Sequence, residues 1–238
     1  MPTSHHNQLN EIVELLMLSK PQSLLDVGVG FGKYGFLARE YLELWDSRKK
    51  YRDWTRVIDG IEAFKDYKTP LYDFVYNRVY FGNALEILPS LKKRYDLILL
   101  IDVLEHFSYG EGLRILKECK KRGRNLIVST PKNVKFQKDA FDNPYETHKF
   151  QWGKKHFSMF EQRFFVPNKN SLICFMGEDA DMVKRKWTES RISSLFYPYS
   201  NYMYRKALKE RVKERLPILK YPYKVVAVVT RKLFGGRL

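Results

Sequence analysis

The residues with the clearest chemical meaning lie in a glycine-rich run, Ser23–Gly35, which reads S-L-L-D-V-G-V-G-F-G-K-Y-G. Apolar residues lead into Asp26, and after it come the glycines Gly28, Gly30, Gly32 and Gly35. Alternating glycines let the backbone turn sharply and lie close to a ligand, because no Cβ intervenes. A strand that ends in such a turn and continues into a helix presents free N–H groups to that ligand. The run therefore predicts a cofactor site at the end of the first β-strand.

Three later polar residues also stand at the ends of predicted strands. Glu62 ends R-V-I-D-G-I-E, Asn83 follows V-Y-F in G-N-A, and Asp102 ends the apolar run Y-D-L-I-L-L-I-D. In open α/β sheets, ligands bind beyond the carboxyl ends of the strands. We therefore expect these side chains and Asp26 to converge on one crevice.

The elements that position these residues follow from hydrophobic periodicity. Helices are predicted over 7–18, 33–46, 71–75, 113–121 and 154–162. Strands are predicted at the start of the glycine-rich run and over 56–62, 79–81, 95–102, 125–130, 164–166 and 171–176. Strands that alternate with helices indicate right-handed βαβ units. The expected fold is α/β: a doubly wound, mostly parallel, seven-stranded sheet with a C-terminal antiparallel hairpin.

Charge divides the 238-residue chain into two parts. Residues 183–238 hold 15 Lys and Arg against 3 Asp and Glu, whereas the whole chain has a net charge of +16. We therefore predict a catalytic domain over 1–182 and a basic, aromatic-rich, helical C-terminal extension over 183–238. Six tyrosines interleave with the cations of the extension, which suits an anionic membrane surface, a nucleic-acid backbone or packing on the core or a second subunit. Val225–Val229 needs burial, which favours a membrane surface or a partner over RNA.

Composition also bounds the cellular setting. The two cysteines, Cys119 and Cys174, show no C-x-x-C spacing, which fits a reducing compartment and argues against a thiolate zinc site. The first residues lack a basic segment followed by an apolar one, and no run of 18 apolar residues exists. We expect a cytoplasmic protein that the extension could bring to the membrane periphery.

Two cofactor classes compete for the glycine-rich run. Gly30–Gly35 satisfies G-x-G-x-x-G, so a dinucleotide must be weighed, but that motif alone is weak. Asp26 suits a cationic ligand better than a pyrophosphate. The run D-V-G-V-G-F-G resembles the acidic-GxGxG motif of class I S-adenosylmethionine-dependent methyltransferases, and the resemblance covers roughly residues 20–178. It implies a Rossmann-like fold, S-adenosylmethionine as the cofactor, and methyl transfer as the activity.

The resemblance also implies roles for the strand-end residues. Glu62 matches the acidic residue that bonds the ribose hydroxyls, although Asp59 is a rival because the first crossover is longer than usual. Asn83 and Ala84 match the segment beside the adenine, where the family usually has Gly-Asp-Ala. Y-D-L-I-L-L-I-D-V-L-E-H-F resembles the fourth-strand motif of small-molecule O-methyltransferases. With Asp26, Gly28, Gly30, Gly32 and Asp102, these residues form the predicted cofactor site.

Catalysis is predicted to depend on residues after the fourth strand. Asp102, Glu105 and His106 stand at i, i+3 and i+4, so a helical turn would place them on one face. His106 is the side chain best suited to accept a proton near neutral pH, and His148 is the second candidate. The expected acceptor is an oxygen on a small molecule, a sugar or a lipid-linked glycan.

Two alternatives remain open at this point. The set Asp102, Glu105, His106 and His148 could hold a divalent metal, and it is similar to the metal site of small-RNA terminal ribose methyltransferases. Asp102 in place of a glutamate and Thr147 in place of a histidine depart from that pattern, and we assign no metal ligand. The chain could therefore be a metal-dependent RNA ribose 2'-O-methyltransferase, or a non-catalytic protein that only binds the cofactor.

Overall fold

The computed structural model describes residues 4–44, 53–134 and 140–196, and of 192–196 only the backbone. The strands of its sheet are β1 (Ser23–Val27), β2 (Val57–Glu62), β3 (Arg78–Phe81), β4 (Tyr95–Ile101), β5 (Gly123–Pro131), β6 (Arg163–Val166) and β7 (Ser171–Gly177). The α-helices are α1 (Leu9–Ser19), α2 (Lys33–Arg39), α3 (Pro70–Val75), α4 (Ala84–Ser90), α5 (Tyr109–Arg122) and α6 (Ala180–Phe196).

The seven strands form one sheet in the order β3-β2-β1-β4-β5-β7-β6. Neighbouring strands among the first five run parallel, and β7 runs antiparallel to both β5 and β6. The expected doubly wound sheet with a C-terminal hairpin is confirmed. β2 and β3 lie on one side of β1, whereas β4 and β5 lie on the other, so the order of the strands reverses between β1 and β4. Ligands in such sheets bind at this switch point.

Strand β4 illustrates why the central strands are apolar throughout. Its neighbours are β1 and β5, so it lies in the middle of the sheet. Successive side chains point to opposite faces. Leu97 and Leu99 pack in one apolar cluster, whereas Ile98 and Leu100 pack in the other, and all four are fully buried. Because both faces of the sheet are covered, a continuous apolar run is what this position requires.

The first crossover is closed by a buried ion pair. Arg39 Nη1 lies 2.7 Å from Glu43 Oε2, in the π-helical turn Glu40–Leu44 that follows α2. Glu43 Oε1 accepts the backbone N–H groups of Thr55 and Arg56 at 2.8 and 2.7 Å. These bonds fix both ends of the long crossover predicted from the sequence, of which residues 45–52 lie outside the described residues.

Two helix predictions differ from the structure. The predicted helix over 154–162 is wrong: the structure has only a 3₁₀ turn, Lys154–Phe157, held by i→i+3 bonds such as His156 N–H to Gly153 O at 3.0 Å. Helix α4 was not predicted, because it is only seven residues long and contains Pro89. It begins at Asn83, whose side chain accepts the N–H of Leu85 at 2.9 Å.

The sheet and the helices up to Trp187 belong to one compact unit. Most of the predicted extension over 183–238 lies outside the described residues, so its boundary, its helical character and its contacts stay predictions. Within the described part of the chain, no helix combines the length and the apolarity needed to cross a bilayer.

Candidate functional site

A cavity opens at the carboxyl ends of β1, β2 and β4, where the sequence places its glycine-rich run. Its floor includes the glycine loop, Glu62, Asn83 and Asp102. The cavity is also lined by Ser4, Lys33, Tyr34, Tyr67, Ala84, His106, Glu111, Tyr145, Glu146 and Lys149. Three of the four strand-end residues therefore converge on one crevice.

The glycine loop after β1 has a backbone that other residues would not tolerate. Gly28, Gly30 and Gly32 have φ angles of 82°, 53° and 96°, in the region that favours glycine. At Gly28 a Cβ would also lie 2.5 Å from a methyl group of Val103, a residue that follows β4. Gly28 and Gly30 line the cavity, whereas Gly32 caps the start of α2 and does not line it.

Glu62 binds the glycine loop to the end of β2. Its Oε2 accepts the N–H of Gly30 at 2.7 Å, and its Oε1 accepts the N–H of Phe64 at 2.8 Å. Burial raises the pKa of this carboxyl, and the two backbone N–H groups oppose that rise. Glu62 is 6% exposed. It is therefore a fixed, largely desolvated acceptor at the cavity wall.

The rival carboxylate, Asp59, lies elsewhere. It pairs in register with Leu25 in the middle of the sheet, three positions before the end of β2. Its Oδ2 accepts from the Tyr95 hydroxyl at 2.7 Å and from Lys93 Nζ at 3.1 Å. These contacts give Asp59 a structural role, and Glu62 is the β2 carboxylate that reaches the cavity.

Asp26 is buried behind the glycine loop and does not line the cavity. Its Oδ2 accepts from the Tyr76 hydroxyl at 2.7 Å, and that hydroxyl in turn accepts the N–H of Gly35 at 3.2 Å. Burial raises the pKa of the Asp26 carboxyl to about 7, against the lowering effect of the Tyr76 hydrogen bond. Asp26 thus connects α2 to β1 through the Tyr76 hydroxyl, and its direct contact with a cofactor stays a prediction from the sequence.

Asn83 and Ala84 form the part of the wall that follows β3. The Asn83 Oδ1 accepts the N–H of Leu85 as the N-cap of α4, and this hydrogen bond fixes the orientation of the side chain. Ala84 is 6% exposed. A small residue beside a capped helix start leaves room for a flat ligand.

Asp102 occupies the end of β4 in an unusual backbone conformation. Its φ angle is +53°, which is uncommon for a residue with a Cβ. Its backbone N–H donates to the carbonyl of Ser129 at 2.9 Å. Burial raises the pKa of the carboxyl, and hydrogen bonds from Gln8 and Ser129 oppose the rise. Sequence reasoning missed both partners.

His106 and His148 lie side by side, with ring centroids 5.0 Å apart. His106 lines the cavity and His148 does not. Burial lowers the pKa of His106 to about 4, although the charge of Glu146 opposes this shift. His106 is therefore neutral near pH 7 and has a lone pair, although as a base it is weaker than the sequence suggested.

Glu105 lies behind this histidine pair and is 1% exposed. Its pKa is raised well above the ordinary value by burial and by the charge of Asp102. Among the described residues its Oε2 has no hydrogen-bond partner. Ligand atoms of Glu105, His106 and His148 lie within 4.8 Å of one another. These three residues form the one candidate metal cluster found among the described residues.

The loop that carries His148 is anchored by backbone and indole hydrogen bonds. The N–H of Lys149 donates to the carbonyl of Glu105 at 2.7 Å, and Trp152 Nε1 donates to the carbonyl of Leu104 at 2.8 Å. The same loop brings Glu146 to the cavity, where Tyr67 donates to its Oε1 at 3.1 Å. Neither Glu146 nor Tyr67 was identified from the sequence.

The lining of the cavity is rich in carboxyl groups. Those of Glu62, Asp102, Glu111 and Glu146 line it, together with the cationic side chains of Lys33 and Lys149. This excess of acidic groups favours a ligand that carries positive charge over one that carries phosphates.

Comparison with known proteins gives structural likenesses alone. No family model and no curated protein matches the sequence. The fold resembles the N-terminal domain of EvdMO1, solved in the presence of SAH and D-fucose, with a TM-score of 0.53, 12% identity, and coverage of 74% of this chain and 84% of that one. It also resembles an O-methyltransferase family protein from Burkholderia thailandensis, with a TM-score of 0.50, 10% identity, and coverage of 71% and 56%.

A third likeness is to PigF with SAH, at a TM-score of 0.47, with 17% identity and coverage of 67% of this chain and 51% of that one. The chain thus spans about half the length of PigF and of the Burkholderia protein. At these identities the likenesses to the EvdMO1 domain and to the Burkholderia protein show the fold alone, a seven-stranded Rossmann-like sheet.

Proposed function

We propose that this chain is a class I S-adenosylmethionine-dependent methyltransferase that transfers the methyl group to an oxygen. The observation that carries the proposal is the cavity at the switch point of the sheet, lined by the glycine loop, Glu62, Asn83 and Asp102. The EvdMO1 domain with the same fold was crystallised with SAH, the demethylated product of that cofactor.

The charges of the site support a sulfonium nucleoside over a dinucleotide. Oε2 of Glu62 already accepts the N–H of Gly30, and its carboxyl lies beside the loop where a dinucleotide would need to place its pyrophosphate. A buried carboxylate and a pyrophosphate would repel each other. In this proposal the preference for a cation comes from Asp102, and Glu62 disfavours a pyrophosphate beside the glycine loop.

The expected role of Glu62 is to bond the ribose hydroxyls, whereas Asn83 and Ala84 would flank the adenine. Asp102 would face the methionine part of the cofactor, whose amino group and sulfonium carry its positive charge. These assignments place the methyl group near His106, which lines the cavity beyond Asp102.

Methyl transfer from a sulfonium is an in-line displacement, so the protein has to orient the acceptor, exclude water and take up a proton. His106 is neutral near pH 7 and can accept the proton of an acceptor hydroxyl as the new carbon–oxygen bond forms. His148, on the far side of His106, would act through it, as a positioning residue.

The acceptor is proposed to be a small molecule, a sugar or a lipid-linked glycan. The EvdMO1 domain was crystallised with D-fucose, and the half-exposed Tyr145 and the buried Glu146 both line the cavity here. An aromatic ring and a hydrogen-bond acceptor in one cavity suit a ring that carries hydroxyls. We also propose that the basic extension brings the enzyme to an anionic membrane surface.

A matched pair of variants tests the cofactor assignment. Glu62→Gln keeps the shape but loses the charge, and a charged hydrogen bond is worth roughly 1.5–3 kcal/mol. We expect its Kd for S-adenosylhomocysteine to rise by about tenfold or more in calorimetry. Asp59→Asn on the same strand should lower stability and leave that Kd unchanged. Equal affinities in the wild type and Glu62→Gln would contradict the assigned role.

A second candidate function rests on the cluster of Glu105, His106 and His148. One carboxylate and two imidazoles suit a divalent transition metal, and the unpartnered Oε2 of Glu105 fits a missing ligand. A metal held there would polarise an acceptor hydroxyl and lower its pKa. This candidate corresponds to the RNA ribose 2'-O-methyltransferase alternative.

Metal analysis of the purified protein separates the two candidates. The metal-dependent candidate requires a stoichiometric divalent metal that Glu105→Gln and His148→Ala both lose, and methyl transfer that stops in EDTA. The metal-free enzyme requires no bound metal and unchanged transfer in EDTA. A ribose-terminated RNA and a panel of small alcohols and sugars are the two acceptor sets for that assay.

A further inference from the structure

The N-terminal segment, residues 4–8, reaches into the cavity and is joined to it by a buried amide. Gln8 is fully buried, and its Nε2 donates to Asp102 Oδ2 at 2.6 Å. The hydroxyl of Ser129 donates to the Oε1 of Gln8 and lies 3.2 Å from Asp102 Oδ1. The Nε2 and the Oε1 of Gln8 therefore both form hydrogen bonds beside the carboxyl end of β4.

The same segment forms part of the cavity wall. Ser4 lines the cavity, and its Oγ lies 2.7 Å from the hydroxyl of Tyr34 on α2. Lys33 Nζ donates to the carbonyl of Ser4 at 3.2 Å. The segment is therefore bonded to the two residues that start α2 as well as to Asp102.

Asp102 is the residue on which this arrangement acts. Its positive φ angle places the carboxyl at the turn after β4, in a conformation that needs support from its surroundings. The Ser129 carbonyl accepts the backbone N–H of Asp102, and Gln8 Nε2 donates to Asp102 Oδ2. The Ser129 hydroxyl donates to Gln8 Oε1 and so holds the amide that orients the carboxylate. A buried carboxylate that accepts a hydrogen bond from a fixed amide keeps its direction.

We propose that Gln8 is a positioning residue for methyl-donor binding: it orients the Asp102 carboxylate and fixes the N-terminal segment as a wall of the cofactor cavity. The inference rests on the proposed function, because it assigns Asp102 to the cofactor. It makes the N-terminal segment part of the binding site, although that segment precedes the glycine-rich run.

Gln8→Met tests the proposal, because it keeps the volume of the side chain and removes both hydrogen bonds. We expect the Kd of the full-length chain for S-adenosylhomocysteine to rise about tenfold in calorimetry, at a temperature where the variant is fully folded. Ser129→Ala should weaken binding in the same direction. Because Gln8 and Ser129 act on one carboxylate, the double variant should lose less affinity than the sum of the single variants.

Asn10→Ala is the matched control, because Asn10 is exposed and lies two residues after Gln8, in the first turn of α1. It should leave the Kd unchanged. Hydrogen exchange gives a second measurement on the wild type, in which S-adenosylhomocysteine should slow exchange at residues 5–8.

The possible results are distinguishable. If wild type fails to bind S-adenosylhomocysteine, the proposed function fails. If wild type binds it and folded Gln8→Met and Ser129→Ala bind it equally well, Gln8 has a structural role alone and the inference is overturned. If Gln8→Met does not fold, the inference depends on Ser129→Ala and on hydrogen exchange of the wild type. Weaker binding by Ser129→Ala and slower exchange at residues 5–8 support it, and unchanged binding and exchange overturn it.

Discussion

Gly112 of α5 lies directly against the indole ring of Trp152, so close that a Cβ at Gly112 would overlap the ring. Trp152 is 2% exposed, and its Nε1 donates a hydrogen bond to the carbonyl of Leu104 at 2.8 Å. Leu104 immediately precedes Glu105 and His106. Because Gly112 has no side chain, Trp152 can pack against α5 and donate to Leu104, in the turn that carries the candidate base.

This contact predicts different results for two glycines of one helix. Gly112→Ala should lower the free energy of unfolding by about 1–3 kcal/mol, because the indole must move out of a packed site. Gly110→Ala meets no atom within 4 Å and should leave stability unchanged or raise it by up to about 1 kcal/mol. Denaturant unfolding followed by tryptophan fluorescence measures both, and equal effects would contradict this packing.

Asp26 predicts a specific pH dependence of stability. Its folded pKa of about 7 lies above the ordinary value, so protonation favours the folded state. The stability it contributes is fully present below about pH 4 and is lost as the pH rises through about 7. Relative to wild type, the free energy of unfolding of Asp26→Asn should therefore rise by up to roughly 4 kcal/mol between pH 4 and pH 8.

The measurement is urea unfolding of wild type and Asp26→Asn at several pH values. The difference between their free energies of unfolding cancels the contributions of the other titrating groups. Tyr76→Phe is a useful second variant, since it removes the donor that stabilises the charged form. It should lose more stability at pH 8 than at pH 5. A difference between Asp26→Asn and wild type that stays constant over this range would contradict the assigned pKa.

The buried pair of Arg39 and Glu43 should matter far more than an exposed ion pair. Arg39→Met leaves the buried carboxylate of Glu43 without its cation and should cost about 3–5 kcal/mol. Lys68 lies 3.3 Å from Asp73 with both side chains at least half exposed, and Lys68→Met should cost less than about 1 kcal/mol. Thermal unfolding of the two variants tests this ranking.

His106 separates an enzyme from a protein that only binds the cofactor. His106→Ala should keep the Kd for S-adenosylhomocysteine within about threefold and reduce methyl transfer by roughly 10²–10⁴-fold, the range for loss of a general base. His156, which does not line the cavity, gives the control His156→Ala. Transfer of labelled methyl groups to small alcohols and sugars is the assay. Equal transfer by wild type and His106→Ala would remove His106 as the base.

The sheet could be predicted from the sequence because its signals are local. A buried central strand needs a continuous apolar run, and Tyr95–Ile101 is such a run. Strand-end residues are also adjacent in sequence to the strands that position them, so Glu62, Asn83 and Asp102 could be assigned to one edge. Asp26 has the same sequence signal, yet the Tyr76 hydroxyl, 50 positions away, holds it beneath the loop.

The rest of the site could not be predicted, because it is made by long-range contacts. Gln8 meets Asp102 across 94 positions and Ser129 across 121, and nothing local to Gln8 signals a buried amide. Glu146 lies in an irregular loop, where no periodicity indicates the direction of a side chain. A long irregular loop indicates a functional segment, but its length does not indicate which residue enters the cavity.

Calorimetric titration of the full-length chain with S-adenosylhomocysteine and, separately, with NAD tests the central claim most directly. A cavity lined by Glu62 and Asp102 should bind the sulfonium-derived nucleoside with one site per chain, and it should not bind the dinucleotide. Binding of NAD without binding of S-adenosylhomocysteine would contradict the account.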